Sequence, residues 1–167
     1  MFTQLVHIGD LHIKPGPRRE RIYAALDRII AEGSVLPRLG AWLLPGDIND
    51  ILGRQMAIED RLAVSERFVQ MADRAPLLIV EGNHDAKRDL EIFAKLKAKY
   101  PITVVTEPKI VHVVLATGQQ ASVFCFPYPT RARFVAAGVA PGDVVDSAAL
   151  ALDVIFDQAA TDLAKAR

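Results

Sequence analysis

An internal disulfide is excluded at once, because the 167-residue chain has a single cysteine, Cys125, and a bridge needs two. That residue sits in the apolar run Val123-Phe124-Cys125-Phe126, where a thiol reads as a buried strand residue rather than a nucleophile. An excess of one charge is also absent. Lys plus Arg and Asp plus Glu number 20 each, so no global basic field draws the chain to nucleic acid, and any such contact must come from local patches. No apolar run approaches the roughly 18 residues of a membrane span. No basic stretch followed by an apolar one precedes the first strand-like segment. The expectation is a cytoplasmic chain with no membrane partner, and the low cysteine count agrees with reducing surroundings. Repeats and low-complexity tracts are missing too. What remains is ordinary for a globular protein, 51% hydrophobic and 24% charged, in a length that supports one domain with a real core.

Strand-length apolar runs alternate with segments of helical period, the pattern of βαβ units around a mainly parallel sheet, hence an α/β fold. Strands are expected over about 4–8, 41–44, 77–80 and 103–106. Helices are expected over about 18–31, 57–73 and 89–99. Ile22, Ala25, Leu26, Ile29 and Ile30 share one face of the first helix, and Ile58, Leu62, Phe68, Val69 and Ala72 are expected to point inward from the second. Two extended stretches, about 110–115 and 121–126 around Gly118, read as an antiparallel hairpin. A short helix over about 131–137, a Gly/Pro-punctuated linker over 138–142 and a last helix over about 146–165 complete the chain. The division expected is a domain over 1–137, then linker and helix over 138–167. His7 reads as a core or sheet-face residue, Trp42 as packing, and His112 as structural or surface.

Three of the apolar runs end in groups that bind metals: Asp10-Leu11-His12, Gly46-Asp47-Ile48-Asn49-Asp50 and Gly82-Asn83-His84-Asp85. If the strands are parallel neighbours, these clusters meet outside the carboxyl ends of the sheet, where open α/β sheets bind ligands. A carboxylate and an imidazole two residues apart, Asp10 and His12, suit Mn, Fe or Zn better than Ca. Asp47 has two oxygens and can bridge two cations, and Asn83 offers a neutral oxygen to a second. Two cations about 3.5–4 Å apart acidify a water and stabilise both the attacking and the leaving oxygen of a phosphoryl displacement. His84 is placed to protonate a leaving alkoxide, with Asp50 or Asp85 holding its imidazole. Each cluster alone is a plausible polar turn. All three, in this order at three strand ends, point to a metal centre.

Together the three segments resemble the signature of the calcineurin-like metallophosphoesterase superfamily: Asp-Xaa-His, Gly-Asp-Xaa-Xaa-Asp and Gly-Asn-His followed by Asp or Glu. The resemblance covers roughly the first 90 residues and implies a metallophosphoesterase-type α/β sandwich. It implies that Asp10, His12 and Asp47 bind a first metal, that Asp47 bridges to a second held by Asn83, and that His84 is the catalytic histidine paired with Asp50. Two Mn are expected, with Mg, Fe or Zn as possible occupants. Within the superfamily the chain resembles the nuclease subunit of bacterial double-strand-break repair exonucleases (SbcD type), through His7-Ile8-Gly9-Asp10-Leu11-His12 and through Val123-Phe124-Cys125-Phe126-Pro127-Tyr128. That implies phosphodiester hydrolysis on DNA, with an ATPase subunit of coiled-coil type as partner and a homodimer possible. The protein phosphatases of the superfamily place an Arg where Ile51 stands, which disfavours a phosphatase.

The family completes its site with a further His and a Gly-His-Xaa-His motif, and neither occurs before Arg167. The only histidine after His84 is His112. The C-terminal half of the sandwich is therefore expected to be missing and the binuclear site incomplete or weakly occupied. Two alternatives stay open: a small-molecule phosphodiesterase of the same superfamily, or a catalytically incomplete module. Arg18, Arg54, Lys87 and Arg88 follow the three motifs and are expected to rim the metal edge and attract substrate phosphate, with Lys14, Arg19 and Arg21 nearby. A solvated surface is the competing reading for these cations.

Overall fold

The computed structural model describes residues 2–50, 54–130 and 148–165. Strands β1 (Gln4–His7), β2 (Leu39–Leu44), β3 (Leu77–Val80) and β4 (Ile102–Val105) form one parallel sheet in that order. The α/β class is as expected. The central strands β2 and β3 are nearly continuous apolar runs because both faces are covered. The edge strand β1 leaves Leu5 and His7 exposed, so His7 is a surface residue.

Helices α1 (Arg19–Ser34) and α2 (Ile58–Ala72) connect neighbouring strands in sequence. Right-handed crossovers between consecutive strands place them on one face. Tyr23, Leu26 and Ile30 from α1 and Val64, Phe68 and Met71 from α2 pack there with Trp42, Leu44, Leu77 and Ile79. Trp42 is fully buried and its indole N–H donates to the carbonyl of Met71 at 2.9 Å. Each large apolar side chain buried this way contributes about 1.5–3 kcal/mol. The opposite face is covered by the hairpin of β5 (Lys109–Val114) and β6 (Gln120–Cys125). Val111, Val123 and Cys125 pack on Leu43, Leu78, Val80 and Val105. Burial raises the Cys125 thiol pKa, in keeping with an inert core residue. Helix α3 (Ala148–Lys165) lies against β6, with Phe156 5.8 Å from Phe124 and 5.6 Å from Phe126, centroid to centroid. His112 is exposed and bonds to Ser122 across the hairpin at 2.9 Å.

Three expectations need correction. Ala25 of α1 is exposed. On α2, Ile58 and Leu62 are 59% and 60% exposed, and the buried stripe instead carries Asp60. At 3.6 residues per turn, Ile58 and Leu62 lie about 120° or more around the helix from Val64. Asp60 can be buried because it finds partners: the Tyr23 hydroxyl donates to it at 2.7 Å and Arg19 approaches to 3.4 Å. The third helix is a short 3-10 segment, Asp89–Lys95, that turns extended at Leu96. Its inward residues Leu90, Phe93 and Leu96 repeat every three positions, the period of a 3-10 helix rather than an α-helix. The helix expected at 131–137, the linker at 138–142 and the boundary after 137 lie outside the described residues.

Burial and the hydrogen bond to Asp60 raise the Tyr23 pKa well above its ordinary 10.0. Above pH 10 the unfolded chain loses this proton while the folded chain keeps it, so stability falls as pH rises there. Tyr23→Phe is expected to flatten that alkaline loss, measured as the difference in Tm between pH 8.5 and 10.5.

Candidate metal centre

Parallel β1, β2 and β3 deliver their carboxyl ends to one edge, and the three motif loops touch through their backbones. His12 N–H donates to the Asp47 carbonyl and Ile13 N–H to that of Ile48, each at 2.8 Å, while Asp50 N–H returns to Ile13 at 3.0 Å. Gly46 and Gly82 meet face to face, so that a Cβ on Gly46 would stand 2.6 Å from the Gly82 Cα. Asp10, His12 and Asp47 all have positive φ, at 57°, 47° and 51°. Asp and His are among the few side chains that enter this region readily, and such outliers cluster at functional sites.

Asp85 clamps two of these loops. One oxygen accepts the N–H groups of Ile48 and Asn49, each at 3.0 Å. The other accepts those of Asp47 at 3.0 Å and Gly82 at 2.9 Å. Burial raises its pKa despite these four donors, and neighbouring Asp47 adds to the rise. With both oxygens committed to backbone, Asp85 is not the partner of His84, and Asp50 is the carboxylate left for that task.

Asp50 lies between two histidines. Its Oδ1 is 3.0 Å from His12 Nδ1 and 3.5 Å from His84 Nδ1, and the two rings meet edge to face at 4.8 Å. Its other oxygen pairs with Lys14. That hydrogen-bonded ammonium, with His12 adding to it, holds the Asp50 carboxyl below the usual carboxylate range. With Nδ1–H on Asp50, His12 presents Nε2 toward Asp10, 3.9 Å away, the arrangement by which a carboxylate sets the tautomer of a metal-binding imidazole. Asp47 Oδ1 accepts the His84 backbone N–H at 3.0 Å.

Two sets of donors result. In one, single donor atoms of Asp10, His12 and Asp47 lie within 4.8 Å of one another; in the other, those of His12, Asp50 and His84 do. Two carboxylates and an imidazole fit a divalent cation of the Mn, Fe or Zn kind. Asn83 is exposed on the loop between Gly82 and His84. Arg18, Arg54 and Lys87 are exposed, and the Arg88 guanidinium turns to Glu91 at 2.9 Å. Arg88 has φ 66° and donates its N–H to Glu81. Lys14 reaches the site, its ammonium on Asp50. Its position inside the first loop signalled this; its pairing with Asp50 across two loops could not be read from spacing.

The model of the calcineurin-like phosphoesterase family matches residues 3–133. Comparison with curated proteins gave no match.

Proposed function

This chain belongs to the calcineurin-like phosphoesterase family, whose members hydrolyse phosphoesters with divalent metals, and on that premise we propose that it cleaves DNA phosphodiesters. The carrying observation is the convergence of Asp10, His12 and Asp47 donors within 4.8 Å at the carboxyl edge of the sheet. These three residues would hold one cation, and Asp47 with Asn83 a second, Mn being the expected metal. Bound there, divalent cations supply charge stabilisation to the phosphoryl oxygens and acidify water. Asp50 orients His12 through Nδ1. It also faces Nδ1 of His84, leaving Nε2 as the atom that hands a proton to the leaving oxygen. Support for DNA comes from the likeness of His7 to His12 and Val123 to Tyr128 to repair-exonuclease subunits. An ATPase subunit of coiled-coil type is the partner that reading carries, and co-purification tests it. No helix among the described residues is long and apolar enough to cross a membrane.

Hydrolysis by the Mn-supplemented chain is to be compared on duplex DNA, cyclic nucleotides and a chromogenic phosphodiester. Cleavage of cyclic nucleotides without DNA cleavage would replace the substrate assignment. No hydrolysis together with Mn binding weaker than millimolar would mark an incomplete module. His84→Ala is expected to slow turnover by about a hundredfold while leaving Mn affinity within about twofold, read by calorimetry. Loss of Mn binding in this variant would make His84 a ligand for that ion.

A further inference from the structure

We propose that His12, Asp50 and His84 form a second metal site, exclusive of the first, that takes a nitrogen-preferring cation such as Zn2+ and withdraws His84 from catalysis. Only the loss of catalysis rests on the hydrolase reading above; the binding does not.

The geometry carries it. Both Nδ1 atoms face the same Asp50 oxygen, at 3.0 and 3.5 Å. The Nδ1 of His84 is buried and has no hydrogen-bond partner. A buried ring nitrogen left without a partner is costly, and a cation shared with His12 and Asp50 would satisfy it. The side chains are 34%, 16% and 30% exposed, shielded enough to hold an ion and open enough to admit one. Two imidazoles and a carboxylate are a donor set that zinc adopts with a fourth position left to solvent. Asp10, His12 and Asp47 offer one nitrogen fewer and one carboxylate more, a set that fits Mn, Fe or Zn and so favours Zn2+ less.

The two sites compete for His12. A neutral imidazole has one lone pair. Metal on Nδ1 puts the proton on Nε2, the atom that faces Asp10 at 3.9 Å, and so removes His12 from the first set. Metal on Nε2 returns the proton to Nδ1 and restores the bond to Asp50. Lys14 is the resident opponent of the second site, because its ammonium sits on the remaining Asp50 oxygen.

Calorimetric titration of the full chain with Zn2+ and, separately, Mn2+ tests this on wild type, His84→Ala, His84→Gln, Asp47→Asn and Lys14→Gln. Both His84 variants are expected to weaken Zn2+ about tenfold or more and to leave Mn2+ unchanged; loss of a metal-site interaction commonly costs tenfold to a hundredfold. Asp47→Asn should do the reverse, and Lys14→Gln should tighten Zn2+ severalfold. In hydrolysis, Zn2+ should inhibit the Mn-supplemented chain competitively with Mn2+. Zn2+ bound equally by wild type and both His84 variants, or no Zn2+ binding below millimolar, would overturn the proposal. Wild type that binds Zn2+ through His84 but never Mn2+ would sink the hydrolase reading and leave this site standing.

Discussion

Substituting Asp47 by asparagine is expected to abolish metal-dependent hydrolysis, lowering kcat/KM by about a thousandfold or more, about 4 kcal/mol of transition-state stabilisation. The change is nearly isosteric, so the effect can be assigned to charge. Asparagine tolerates the backbone φ of 51° as aspartate does. Its carbonyl oxygen can still accept the His84 N–H, which Asp47 Oδ1 takes at 3.0 Å. The metal-free fold should also be no less stable. The Asp47 charge helps raise the Asp85 pKa, and removing it relieves that repulsion beside a buried carboxylate. What is lost is a negative charge and an oxygen donor in the set with Asp10 and His12. Hydrolysis across a Mn series and the Tm of the metal-free variant give the two readings. Wild-type activity at saturating Mn would remove Asp47 from the metal centre.

Gly82→Ala is expected to destabilise the chain by about 3 kcal/mol and to weaken Mn binding with it. The added Cβ would fall on the Oδ1 and N atoms of Asp47 and 2.9 Å from its Cγ. There is little slack to absorb the move, because Gly46 also packs on the Gly82 backbone, where its own Cβ would stand 2.6 Å from the Gly82 N and Cα. Parting the two loops also breaks the Asp85 clamp and leaves the buried N–H groups of Ile48 and Asn49, and the part-buried one of Asp47, without their acceptor. Urea unfolding should show a lower midpoint at an unchanged slope. Gly9→Ala is the control. Its Cβ would meet only Pro45 at 3.5 Å and His7 at 3.8 Å, ordinary contacts, and it should leave both stability and metal affinity close to wild type. A Gly82→Ala chain as stable as that control would mean the two loops do not touch as described.

The places where local pattern misled share a cause. On α2 an apolar count favours Ile58 and Leu62, but burial went to the stripe with Asp60 because Tyr23 and Arg19, on another helix, compensate its charge. The segment after Arg88 has helical composition, yet its three inward residues suit a 3-10 turn against β4 rather than an α-helix. Arg88 follows the third motif, but position along a loop does not say where a long side chain points. Arg88 points to its own helical neighbour Glu91.

The residues alone determined the strands, their parallel succession, and which three turns carry oxygen and nitrogen donors, because apolar period and turn chemistry are local properties. Tertiary structure decided how those donors are shared: Asp50 between two imidazoles and a lysine, Asp85 on four backbone N–H groups, His12 between two donor sets. Such sharing depends on loops from different strands meeting to within a hydrogen-bond length. That distance is set by the contact of Gly46 with Gly82 and by sheet register, quantities that exist only once the chain has folded.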